Sequence, residues 1–162
     1  MNPCRCGRAG EPGYACRQGR GCVERYQARI SGPLLDRIDL HIDVPPVAYR
    51  ELASTSRAEA SAQIQTRVNA ARSLQQQRYS ADGVFCNAHM LPKHVQAYCR
   101  LDTSGRQLMA AAMGRLGLSA RGYERVLKVA RTIADLAESE AIAVEHVAEA
   151  IQYRSLDREV WP

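Results

Sequence analysis

The sequence predicts a mainly α protein: the truncated end of an α/β domain, made of a Cys-rich loop, a short helix and one strand, followed by an α-helical bundle. Three observations carry this expectation. Apolar residues recur at i, i+3, i+4 and i+7 through most of residues 56–154, the spacing of helices that bury one face. One run only, Ile38, Leu40, Ile42 and Val44 alternating with Asp39, His41 and Asp43, has the period of two of a half-buried strand. Residues 1–22, rich in Gly, Cys and Arg, have neither period and read as an irregular loop that needs a staple.

Taken in order, Val23, Tyr26 and Ile30 fall on one face of a short helix, and Gly32 with Pro33 reads as its stop. The strand follows and ends at Pro45 and Pro46. Because one strand has no ladder partner for its backbone groups, its sheet is expected elsewhere, and the chain reads as a fragment: the end of a sheet-containing domain, residues 1–52, and an intact helical domain, residues 53–162. Residues 47–56 are the linker. Ile64, Val68, Ala71 and Leu74 then stripe a helix over about 56–79, and Pro92 suits the first turn of a short helix bearing Val95 and Tyr98. Leu108, Met109, Ala112, Met113 and Leu116 line a third, ended near Gly117. Ser119 offers an N-cap to a fourth, along which Tyr123, Val126, Leu127, Ala130, Ile133, Ala134 and Ala137 keep the helical rule. A last helix spans about Val144 to Arg154, with Val147 and Ile151 inward.

With 162 residues, 46% hydrophobic and 24% charged, the composition is that of a globular chain and not of a disordered one. No apolar run approaches the roughly 20 residues of a spanning helix, and the Arg- and Cys-bearing N-terminus lacks a signal-peptide core. A soluble, cytoplasmic protein is expected. Of the net charge of +5, residues 1–37 supply four, with seven Arg against three acids.

Catalytic equipment is sparse. The residues preceding the two lysines, Lys93 and Lys128, are Pro92 and Leu127, which excludes a GxxxxGK[ST] phosphate loop, and there is no adjacent Asp-Glu pair, H-E-x-x-H or G-x-S-x-G. Cys4, Cys6, Cys16 and Cys22, spaced CxCx9Cx5C, supply four soft ligands for a structural tetrahedral zinc, with reduced thiols in a loop as the alternative. Arg37 stands ahead of the alternating run; on spacing alone it reads as half of a surface salt bridge with Asp36 or Asp39. Arg125, Lys128 and Arg131 read as surface charges. His41 falls on the polar face of the strand, and His89, His94 and His146 read as single surface side chains.

The strings MNPCRCG (residues 1–7), RISGPLLDRIDL (29–40), LSARGYERVLKVARTIADL (118–136) and EAIQYRSLDR (149–158) together resemble the Mg-chelatase-related AAA+ ATPases of the ComM/YifB type. The resemblance spans almost the whole chain, although many relatives carry a proline near Arg5 and the Cys16–Cys22 gap is wide. It implies the C-terminal third of a longer protein, with the Walker motifs upstream, so that residues 1–52 end a nucleotide-binding core and residues 53–162 form its α-helical lid. Position by position, Asn2 resembles the sensor 1 residue that orients the attacking water. Arg37 resembles an arginine finger reaching the ATP of the next subunit, and Arg121 resembles the sensor 2 arginine that contacts phosphate from the lid. A cation in the first turn of a helix opposes the helix dipole, a mismatch that a bound anion would relieve.

The implied parent is a hexameric ring using ATP and Mg2+ to remodel DNA, as a helicase driving branch migration in natural transformation; this fragment alone should not hydrolyse ATP. Two other classes stay open. One is a zinc-stapled basic module that binds nucleic acid through its front end, where only Tyr14 and Tyr26 could stack on bases; the other is a non-catalytic helical adaptor.

Overall fold

In the computed structural model the described residues are 4–7, 19, 21–42, 44–45, 47, 49–53 and 58–154. Among these, three short helices come first: α1, Gly21–Gln27; α2, the turn Gly32–Leu35; and α3, the turn Tyr49–Leu52. Five more build the bundle: α4, Ser61–Arg78; α5, Pro92–Tyr98; α6, Thr103–Leu116; α7, Ala120–Leu136; and α8, Val144–Gln152. A 3-10 turn, Asn87–His89, lies between α4 and α5. The mainly α expectation holds.

The helix ends follow local chemistry. Pro92 opens α5, where its missing N–H is no loss. The Asp102 carboxylate accepts from the Gly105 amide at 2.6 Å and starts α6, which closes on Gly117 at φ 61°, a left-handed conformation that glycine adopts without strain. The Ser119 hydroxyl accepts from the Gly122 amide at 3.1 Å and starts α7. At the third positions of α5 and α8, His94 Nδ1 accepts from the Leu91 amide (3.0 Å) and His146 Nδ1 from the Ala143 amide (3.1 Å). Each imidazole takes the place that Glu or Gln has in a capping box. His41, His94 and His146 are therefore not surface side chains; all three are buried.

The core centres on α7, which packs against α4, α5 and α8, while α6 packs on α8. Val126, Ala130 and Ala134 of α7 meet Met109 of α6 and Val147 and Ala150 of α8, all buried. A parallel bridge between Leu101 and Ile142 joins the entry of α6 to the loop before α8. Among the described residues, helix α4 packs on the bundle through its C-terminal end. Ala71 and Gln75 are buried, whereas residues 61–70 are all exposed, so Ile64 and Val68 of the expected apolar stripe face water.

Three expectations need correction. The helix stop at Gly32–Pro33 is instead a helical turn, since Ser31 O accepts from the Leu34 and Leu35 amides (2.9 and 3.2 Å); proline is tolerated in a first turn. Part of the linker forms α3. Residues 38–42 make no strand, and their burial does not alternate: Ile38, Asp39, Leu40 and Ile42 are exposed and His41 alone of the five is buried, at 7% exposed. With no ladder among the described residues for it to join, the segment follows the polar contacts it can make. The ends of α4 and α8 also shift, to Ser61 and Gln152.

Candidate functional site

The segment after α2 stays coiled, with the Arg37 amide donating to Leu34 O and the Ile38 amide to Leu35 O, both at 3.0 Å. This coil turns the exposed Arg37 side chain back over α2, where its Nη1 donates to Pro33 O at 2.7 Å. The expected salt bridge with Asp36 or Asp39 does not form. Both carboxylates face other arginines: Arg154 Nη2 lies 3.7 Å from Asp36, and Arg125 ion-pairs with Asp39. Arg154 also donates from Nη1 to Ile38 O at 2.5 Å, and the His41 amide donates to Tyr153 O at 2.8 Å.

Arg121, the second residue of α7, is exposed in the first turn that Ser119 caps. Arg125 follows it by four residues, one turn along the same face. The Arg125–Asp39 pair thereby joins the helix end that carries Arg121 to the segment that carries Arg37. Among the described residues no acid pairs with either Arg37 or Arg121, so both guanidinium groups keep donors for a ligand.

Of the Cys set, Cys4 and Cys22 are buried and Cys6 is exposed, with the Cys4 and Cys6 sulfurs 2.9 Å apart. Asn2 and Cys16 lie outside the described residues. Among the described residues no cluster of three or more His, Cys, Asp or Glu has the arrangement of a metal site.

A second polar centre lies inside the bundle. The Asp135 carboxylate, 1% exposed, accepts from Arg78 Nη1 and Nη2 (2.9 and 2.5 Å), Arg131 Nε (3.1 Å) and Asn87 Nδ2 (2.8 Å). Arg131 spends its other nitrogens on Glu140 O (2.8 Å) and Ser139 O (2.6 Å), Tyr79 donates to Asn87 Oδ1 (2.7 Å), and Gln75 Oε1 accepts from the Asn87 amide (3.2 Å). The hydrogen bonds that Arg78 donates to Asp135 hold its guanidinium pKa well above the ordinary value, against the opposing effect of burial. Burial pushes the Tyr79 phenol up to about 12 and the Cys99 thiol up to about 11.

This centre is an anchor for α4 and the α7–α8 loop. A cleft of about 540 Å³ beside it is lined by both arginines and by the exposed Arg100; Arg78 and Arg131 direct their donors to Asp135, Asn87 and the loop carbonyls. Arg131 is thus buried and not a surface charge. Lys128 donates from Nζ to Ala88 O (3.2 Å) and Met90 O (2.7 Å), so it clamps the 3-10 turn. The sequence held a signal for this: Tyr123, Leu127, Arg131 and Asp135 form one i, i+4 row, placing a complementary ion pair in line with core residues.

The fold and this corner define a lid-type helical domain bound to an arginine-bearing loop. The family described as magnesium chelatase, subunit ChlI C-terminal, matches residues 58–154, and that described as magnesium chelatase, subunit ChlI, matches residues 1–52. The competence protein ComM of Haemophilus influenzae is 40% identical over 137 residues, covering 84% of this chain and 26% of that protein. The uncharacterized protein YifB of Escherichia coli is 38% identical over 135 residues, 83% of this chain and 26% of its own length. An uncharacterized protein of Mycobacterium tuberculosis is 31% identical over 153 residues, 94% of this chain and 30% of its own. The chain belongs to the Mg-chelatase/ComM-like AAA+ family, and it spans about a quarter of the length of the curated relatives first matched. Among the described residues no helix is long and apolar enough to cross a membrane.

Proposed function

We propose that this chain is the C-terminal part of a cytoplasmic, ring-forming ATPase that couples ATP binding and hydrolysis to DNA remodelling. In this reading residues 1–52 end the nucleotide-binding core and residues 53–162 are the lid. Arg37 is the arginine finger, Arg121 the sensor 2 arginine and Asn2 the sensor 1 residue. The observation that carries the reading is the pairing pattern at the corner. Asp36 and Asp39 face Arg154 and Arg125, while Arg37 and Arg121 remain exposed with no acid partner among the described residues.

A guanidinium fork suits phosphate oxygens, and it stabilises the charge that develops there during transfer. ATP with Mg2+, when bound, supplies the phosphoryl group; Arg37 and Arg121 supply fixed positive charge around it. The DNA role is what the family resemblance implies, and the relative of Haemophilus influenzae is named a competence protein. The test is Arg37→Ala in the full-length protein, assayed for ATP turnover and nucleotide affinity. Turnover should fall by about three to five orders of magnitude, the range measured for such fingers, with affinity little changed. Wild-type turnover in that variant would refute the assignment.

Cys4, Cys6, Cys16 and Cys22 are proposed as ligands of a structural zinc. Burial of Cys4 and Cys22 and the close approach of Cys4 to Cys6 support it. Metal analysis of protein purified without chelator under reducing conditions should give about one zinc per chain, as four thiolates fill a tetrahedral site; a ratio near zero would reject it.

A further inference from the structure

Beyond Leu35, apolar burial does not hold the Arg37 segment. Ile38, Leu40 and Ile42 are exposed, so their burial contributes little to its position. Among the described residues, polar links at Asp36, Ile38 O, Asp39 and the His41 amide hold it, and these run to residues 125, 153 and 154 of the helical bundle. Asp36 and Ile38 are the two neighbours of Arg37, and one guanidinium, that of Arg154, reaches both. Arg154 is 1% exposed; a buried cation is costly unless well paired, so the Ile38 carbonyl and the Asp36 carboxylate help to offset the cost of burying it.

We infer that Arg125 and Arg154 are positioning residues for Arg37: they fix the backbone on both sides of it to the bundle, so that the reach of Arg37 follows the orientation of the lid. This rests on the finger role proposed above. The geometry also gives a route between the two exposed arginines. Arg121 shares a face of α7 with Arg125, Arg125 holds Asp39, and Asp39 lies two residues from Arg37. A phosphate that draws on Arg121 and tilts α7 therefore displaces the segment that aims Arg37. Transfer reactions are sensitive to such placement, with a shift of about 1 Å able to lower the rate a hundredfold.

The test uses charge reversal at the partly exposed pair in the full-length protein: Arg125→Glu, Asp39→Arg and the two combined, with Arg37→Ala as reference and thermal melts to confirm folding. Each single reversal should lower kcat for ATP by about tenfold or more, with KM changed by less than about threefold, as expected when placement is lost and ground-state binding is kept. The combined variant should recover most of the loss. Arg154→Lys tests the buried partner, and if it does not fold the reversal series stands alone. Should Arg37→Ala abolish turnover while both single reversals keep wild-type kcat, or should the combined variant fail to recover, this inference falls and the finger role survives. Should Arg37→Ala itself turn over normally, the finger role falls first.

Discussion

Replacing Asp135 by Asn tests the buried anchor directly. The carboxylate accepts four hydrogen bonds, three of them from Arg78 and Arg131. Asparagine keeps the size but removes the charge and turns an amide N–H₂ toward at least one guanidinium donor. Two cations then lose their common counterion in a site where Asp135 and Arg131 are 1% and 3% exposed. Breaking a buried pair by removing one partner costs about 3–5 kcal/mol. A domain of the size of residues 58–154 has a total stability of about 5–15 kcal/mol. The substitution thus takes a large share of it. With a urea m-value of roughly 2 kcal/mol/M, a loss of about 4 kcal/mol lowers the midpoint by about 2 M. Circular dichroism during urea titration measures this. The control is Arg67→Ala, which breaks the exposed pair of Arg67 of α4 with Glu59, just ahead of that helix, and should cost about 0.2–1 kcal/mol. An Asp135→Asn midpoint no lower than that of Arg67→Ala would refute the claim that Asp135 anchors α4.

Two further perturbations follow from the same structure. Tyr79 and Cys99 have pKa values raised from 10.0 and 9.0 to about 12 and about 11. The native state therefore keeps protons that the unfolded chain releases, and each contribution is present in full below pH 9 and lost as pH rises through about 11 to 12, roughly 3 kcal/mol per group at completion; melts between pH 8 and 12 should show this fall, and a flat profile would contradict the burial of both groups. Ser119→Ala removes the bond to the Gly122 amide and should cost about 1 kcal/mol, measured by urea titration, with no loss meaning that water replaces the cap.

How much of this was legible in the sequence depended on whether a residue's role was local. The α7 stripe, its Ser119 cap and the Gly117 stop were readable because each needs only a few consecutive residues. The run Ile38 to Val44 misled because alternation records a sheet partner that the described residues do not contain, and polar links to Arg125, Tyr153 and Arg154 decided its course. Arg131, Lys128, His94 and His146 read as surface groups by residue type, which favours exposure. What holds Arg131 and Lys128 is a partner contributed from outside their own turn, and what holds the histidines is a backbone amide at the helix start. Arg37 and Arg121 stand out only through the family strings; Arg125 reads as a surface charge by residue type, and Arg154 carries no local signal of its contact with Ile38 O.

Helix α4 is fastened at one end like a cantilever. Its 18 residues extend about 27 Å at 1.5 Å per residue, and the fixed end is the Asp135 cluster reached by Arg78. A stretch of helix without packed neighbours is only marginally stable, so amide exchange should quicken steadily from Gln75 toward Ser61. Anything that seats against Ile64 and Val68 would stiffen the free half, and a push at its tip would be felt as torque on the arginines around Asp135.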